Sequence, residues 1–314
     1  MAIACASLAA TVATTVAQAQ MAPDVAEQLK ALGRVINPPA TAALYAARVI
    51  DKEPYAGVRV QRDMAYGSDP RHLLDVFVPE AAASETGSAP RPVLVFVHGG
   101  AFTRGDRRAP GSPFYDNLML WAVRNGMVGV NITYRLAPKD LWPAGAQDVG
   151  LAVRWVHEHI AARGGNPAKV FLMGHSAGAA HVASYVADAR FQQVPGAGLA
   201  GALMLSGLYQ LSPELLGAES AVKLYFGDDP ARFTERSAQG GLLRTPVPLW
   251  VGYAQLDPPA FEAQALGLKD ALCAAGRCPA FAAFPGHSHM SEIYSVNTDD
   301  AQVSHAMLAF VRAH

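Results

Sequence analysis

The chain is short of charge. Of its 314 residues only 16% are Asp, Glu, Lys or Arg, and 25 basic groups against 26 acidic ones leave a net charge of -1. That balance excludes a surface built to hold a polyanion, so no nucleic-acid partner is expected. The densest basic cluster, Arg104, Arg107 and Arg108, reads as a solvated loop. Cysteine is also scarce. Three residues are too few for a disulfide scaffold or a cysteine-rich zinc site. Internal repeats are lacking, and the most apolar stretch, at the start, is interrupted by Thr and Gln and short for a membrane span. What is abundant is apolar material, 51% of the chain, enough for a large core and too much for a disordered polymer.

The first twenty residues lack charge altogether. Met1 to Gln20 is rich in Ala, Val and Thr and ends in Ala17-Gln18-Ala19, a small-x-small pattern. The stretch is expected to be a signal peptide over residues 1–20, which makes the protein periplasmic or secreted and leaves one domain over 21–314. A positively charged leading region is missing, so a cytoplasmic protein starting at Met21 stays open as the alternative. Cys5 falls inside this stretch. Cys273 and Cys278 remain, and in an oxidising compartment they could close a small disulfide loop between a helix and a strand.

Beyond the start, periods of two and of 3.6 alternate. Val58–Met64, Leu73–Pro79, Pro92–Val97, Met127–Thr133, Val170–Met173, Gly201–Ser206, Pro248–Tyr253 and Pro279–Phe284 read as strands. Helical patterns fall between them, the longest over Ala144–Arg163 with Val149, Val153, Val156 and Ile160 as its stripe. This rhythm predicts an α/β fold with a mostly parallel sheet between helices. Residues 24–50, broken at Asn37-Pro38-Pro39, and 208–240 are expected to form cap elements.

Chemistry concentrates at strand ends. Gly174-His175-Ser176-Ala177-Gly178 lies between a strand and a helix, where a tight turn would expose a serine hydroxyl. A nucleophilic serine needs a base and an acid to orient it, supplied later in the chain on following loops. Asp257 follows one later strand; His287 and His289 follow the next. Two histidines with an aspartate could suggest a metal pair, but no convincing third ligand is evident, and no metal is expected. Backbone N–H groups of Gly100, Ala101 and Ala177 are the candidates for holding an oxyanion, with His98 buttressing the loop. Phe102, Trp142, Tyr209 and Phe226 are candidate pocket walls. Gly196-Ala197-Gly198-Leu199-Ala200-Gly201 fits a dinucleotide pattern formally but precedes its strand, so no cofactor follows from it.

The segments Leu74–Pro79, His98-Gly99-Gly100-Ala101-Phe102, Tyr134-Arg135-Leu136-Ala137-Pro138 and Gly174–Gly178 resemble the α/β-hydrolase esterases, in particular the hormone-sensitive-lipase-like carboxylesterases. The resemblance implies an eight-stranded α/β-hydrolase fold with a small helical cap. It also implies a Ser176–Asp257–His289 triad, with His289 preferred over His287 because Gly286-His287-Ser288-His289-Met290-Ser291 is similar to the family's Gly-x-x-His-x-Ser ending. Departures at Ala101, His175 and Lys139 tilt it toward the feruloyl-esterase-like and arylformamidase-like branch. The expected activity is hydrolysis of a small or aryl ester through an acyl-enzyme. An amide or formamide hydrolase with the same triad and a non-catalytic binding protein are the other readings.

Overall fold

The computed structural model describes residues 20–50, 53–80, 89–218 and 220–314; the expected leader lies outside them apart from Gln20. Eight strands form one sheet: β1 (Val58–Ala65), β2 (Leu73–Pro79), β3 (Arg91–Val97), β4 (Val128–Ile132), β5 (Gly165–His175), β6 (Gly201–Leu205), β7 (Leu249–Leu256) and β8 (Ala280–Ser288). Their order is β1-β2-β4-β3-β5-β6-β7-β8. Only β2 runs against its neighbours; from β4 to β8 every pairing is parallel.

The strands at the centre are apolar without alternation because both faces are covered. Period-two geometry then sorts their residues into two cores. Val93, Val95, Val97, Leu172 and Met204 face one side and meet Val149, Val153 and Val156 of the helix Ala144–His159 and Val182 of the helix Ala177–Ala187. Leu94, Phe96, Phe171, Met173 and Leu203 face the other and meet Leu118 of the helix Asp116–Arg124 and Met307 of the helix Gln302–Ala313. A third apolar cluster, including Phe102, Leu208, Val222, Phe226 and Phe261, lies under the 208–240 segment.

That segment folds as short helices, Pro213–Ala218, Ser220–Phe226, Phe233–Arg236 and Gln239–Leu242. The N-terminal segment forms helices Pro23–Leu32 and Pro38–Tyr45, and the Asn37 side chain accepts from the Ala40 N–H at 3.2 Å to start the second. Val25 and Leu29 of the first pack on the sheet rather than over its edge. Cys273 and Cys278 are bonded, joining the end of the helix Pro259–Ala274 to the start of β8.

Three expectations need correction. The helix expected to reach Arg163 ends at His159 and gives way to a 3-10 turn, Ala161–Arg163, closed by Gly164 in the left-handed region. The strand expected to stop at Phe284 continues through His287 to Ser288, followed by an unforeseen helix, Ser291–Tyr294. The basic cluster is a solvated loop only at Arg104, which is exposed. Arg107 is buried, and both it and Arg108 bond to Asp63 and the wholly buried Asp75.

Leu172 is fully buried in β5 at the middle of the sheet. Leu172→Ala should destabilise the fold by about 2–5 kcal/mol, read as a lowered urea midpoint. Leu141→Ala, at a site 48% exposed, should change it by less than about 0.5 kcal/mol.

Candidate active site

The turn from β5 into the helix Ala177–Ala187 holds Ser176 at φ 57°, ψ −124°. A non-glycine residue pays about 1–3 kcal/mol for such a conformation, so the surroundings must impose it. They do. The Ser176 N–H donates to the Leu205 carbonyl and its own carbonyl accepts from the Ala179 N–H, both at 3.0 Å. Close approach sets both flanking residues: a Cβ on Gly178 would lie 2.1 Å from the Val97 carbonyl oxygen, and one on Gly174 2.4 Å from that of Gly178. Only glycine lets helix, β5 and the end of β3 come so near.

The loops after β7 and β8 bring two further groups to the serine. His289 Nε2 lies 2.8 Å from Ser176 Oγ, and its Nδ1 2.7 Å from Asp257 Oδ1. Since a carboxylate only accepts, the imidazole proton sits on Nδ1 and leaves Nε2 to accept the serine hydroxyl. The wholly buried Asp257 also accepts from Ser206 Oγ at 2.6 Å and from the Ala254 N–H at 2.9 Å, which fixes the carboxylate plane. His287, two residues earlier, points away. Its Nδ1 is 3.1 Å from Ser291 Oγ and its Nε2 3.5 Å from Asp300 Oδ2, and Tyr45 donates to the same carboxylate.

The turn after β3 completes the geometry. Gly100, Ala101 and Phe102 all have positive φ, 135°, 52° and 64°. A Cβ on Gly100 would lie 2.0 Å from the Arg104 carbonyl oxygen, so this position too is reserved for glycine. His98 supports the turn from behind: its carbonyl accepts from Tyr134 Oη at 2.8 Å and its ring stacks on Tyr134 at 4.5 Å. Among the described residues the N–H groups of Gly100, Ala101 and Ala177 have no hydrogen-bond acceptor. All three residues line one cavity of about 840 Å³ together with Ser176 and His289.

Of the four candidate wall residues only Phe102 lines that cavity. Phe226 packs edge-on against Phe102 at 5.3 Å, in the layer behind. Tyr209 is buried under the helix Ala177–Ala187 with its hydroxyl near the Met204 carbonyl, 3.4 Å. Trp142 packs on Phe191 and on the Arg236 guanidinium. With Phe102, the apolar walls are Leu208, Val222 and Phe261 of the cluster under the 208–240 segment, together with Ile36, Tyr115 and Tyr294. Their signal is weak in a sequence because each is one apolar residue among many.

The electrostatics depend on burial. His98, His175 and His181 are enclosed, and loss of hydration pushes His98 down to about 4 and His181 down to about 3, with His175 also well below its usual range. Glu292, unforeseen and wholly buried, is shifted the other way, first by burial and then by the neighbouring Asp257. It lies 3.3 Å from His175 Nε2, which donates to the His289 carbonyl at 2.8 Å. A neutral Glu292 leaves Asp257 as the single carboxylate charge beside His289. His175, His289 and Glu292 bring ligand-type atoms within 4.8 Å of one another. A cation there would have to take one ring nitrogen of His289 and so break its bond either to Asp257 or to Ser176, and the donor set does not suit a metal. Only the position of Glu292, three residues after His289, could have hinted at it.

This sheet order, the elbow after β5 and the loops after β7 and β8 define an α/β-hydrolase. Comparison with known proteins narrows the class. Residues 72–207 match the model of the carboxylesterase family. The esterase LipQ of Mycobacterium tuberculosis is 30% identical over 251 residues, 74% of this chain and 57% of that protein. The para-nitrobenzyl esterase of Bacillus subtilis is 32% identical over 154 residues, 44% of this chain and 31% of that protein. Among solved structures, esterase B of Lactobacillus rhamnosis superposes with a TM-score of 0.71 at 18% identity, over 92% of this chain and 96% of that one. A bacterial heroin esterase gives 0.69 at 23% identity, over 94% and 98%. The chain belongs to the carboxylesterase-type α/β-hydrolases. It spans little more than half the length of LipQ, and less of the para-nitrobenzyl esterase.

The buried histidines make stability depend on pH. Unfolding returns each imidazole to about 6.5, so below that pH the unfolded chain takes up three protons that the folded one refuses. Glu292 opposes this with one proton held only by the folded state. Stability should therefore peak between about pH 6.5 and 7, fall toward pH 4.5 by up to about 2.7 kcal/mol per pH unit for a net excess of two protons, and decline gently above the peak, by up to about 1.4 kcal/mol per unit, while folded Glu292 keeps its proton. Urea midpoints at pH 7 and pH 5 test this; equal midpoints contradict neutral burial of the three rings.

Proposed function

We propose that the protein hydrolyses carboxylic esters through a covalent acyl-serine. One observation carries the reading: an unbroken Ser176–His289–Asp257 chain of hydrogen bonds opens onto a cavity beside three unpartnered N–H groups. Ser176 Oγ attacks the ester carbonyl while His289 Nε2 takes its proton. The carbonyl electrons move onto oxygen, and the N–H groups of Gly100, Ala101 and Ala177 stabilise the resulting oxyanion. Collapse breaks the bond to the alcohol oxygen, and His289 returns its proton to that leaving group. Water, activated by the same imidazole, then attacks the acyl-enzyme and frees the acid. Asp257 keeps the ring in the right tautomer and stabilises the imidazolium at both stages.

The cavity is of a size that suits an organic molecule of moderate dimensions. Its apolar walls support small or aryl esters over a bare acetyl donor. The same machinery could attack a formamide, where His289 would protonate a poorer, amine leaving group. The resemblance to the arylformamidase-like branch keeps that as the second reading.

Ser176→Ala should abolish turnover of p-nitrophenyl acetate and butyrate, and Asp257→Asn should lower kcat on the order of 10^3–10^4-fold with the fold intact by circular dichroism. N-formyl aromatic amines, assayed beside them, should turn over far more slowly. Activity confined to the formamides would replace the ester assignment, and no activity on either would favour a binding protein.

A further inference from the structure

The cavity at Ser176 carries one charge at its wall. Arg104 is the only charged side chain among the described residues that line it, and no carboxylate does. The arginine is solvent-exposed, with no ion pair and no side-chain hydrogen bond. Its neighbours are occupied. Arg107 and Arg108 are bonded to Asp63 and Asp75, and Lys223 on the cap side is 2.9 Å from Asp228. An exposed guanidinium without a protein partner at the wall of a cleft is available to an anion that arrives with the substrate.

Its placement is fixed even though its head is free. The Arg104 N–H donates to the Gly100 carbonyl at 3.1 Å, and its own carbonyl packs against Gly100 so closely that a Cβ there would lie 2.0 Å away. Gly100 is one of the three N–H donors at the reacting carbonyl. The Arg104 backbone is thus anchored to the turn that would bind the oxyanion, and its side chain extends from a residue that lines the same cavity as Ser176. It offers five donors in a planar fork that matches a carboxylate. The two histidines of the wall suit this too: His175 and His289 carry no negative charge, and the carboxyls they meet, Glu292 and Asp257, are wholly buried and do not line the cavity.

Building on the ester-hydrolase reading, we propose that Arg104 recognises a carboxylate on the substrate, so that the enzyme's preferred substrates are anionic esters: half-esters of dicarboxylic acids, or aryl esters whose ring bears a carboxylate. The apolar walls hold the carbon skeleton, Gly100, Ala101 and Ala177 hold the reacting carbonyl, and Arg104 fixes the far, charged end. Such a contact orients the ester as well as binding it, and it is partly exposed, so added salt weakens it.

The test compares matched esters with and without the charge. Monoethyl succinate against ethyl pentanoate places the carboxylate on the acyl side; 4-acetoxybenzoate against 4-acetoxyacetophenone places it on the alcohol side. In one of these pairs kcat/KM should favour the anion at low salt. Arg104→Ala should lower the anionic-to-neutral ratio about tenfold, Arg104→Lys should recover part of it, and 0.5 M NaCl should reduce the wild-type preference. The pair that responds tells which side of the ester carries the charge. Ratios unaffected by Arg104→Ala in both pairs would overturn the proposal while leaving the esterase reading standing. Failure to hydrolyse all four compounds, together with p-nitrophenyl acetate, would overturn the esterase reading itself.

Discussion

The molecule is arranged around one close approach: Gly178 against the Val97 carbonyl oxygen. It lets the helix Ala177–Ala187 start directly above the end of β3, which holds Ser176 in its unfavourable conformation. The same contact sets the helix start beside the turn 98–105. Ser176 and the unpartnered N–H groups therefore share one wall because two parallel strands, β3 and β5, are hydrogen-bonded neighbours, Val93 beside Val170 through Val97 beside Gly174. Parallel pairing continues through β6, β7 and β8, so each loop at that edge adds a group: Ser206, then Asp257, then His289. Strain at the serine is tolerable only because two buried cores clamp the sheet from both faces.

Economy of charge is the second theme. Around Ser176, His289 and Asp257, burial favours neutral forms for three imidazoles and for Glu292, and Asp257 is the carboxylate that His289 meets. The densest ion-pair network lies elsewhere, where Arg62, Arg107 and Arg108 surround Asp63, Asp75 and Asp116 and secure the segment following the turn 98–105. Arg104 stands apart from that network and faces the cavity.

Much of this was legible in the sequence, for physical reasons. Continuous apolar runs such as Val93–Val97 mark strands covered on both faces, and Gly174–Gly178 sits where only glycine tolerates the crowding. Asp257 and His289 were readable because parallel α/β topology puts successive strand ends side by side. What failed to show was set by packing in three dimensions. Tyr209, Trp142 and Phe226 have the right chemistry for a wall, but helix placement turns them into the layers behind it. Glu292 was invisible because nothing local distinguishes a buried carboxyl from a solvated one. The arginine cluster was misread for a related reason: its partners Asp63 and Asp75 lie more than thirty residues upstream.

The central claim is that Ser176 is a nucleophile activated by His289 and Asp257. Intact-mass and peptide mapping after treatment with a fluorophosphonate tests it most directly. A single adduct on the peptide containing Ser176, absent when His289 is replaced by Ala, is the predicted result. No adduct, or one on another residue with Ser176 untouched, would contradict it.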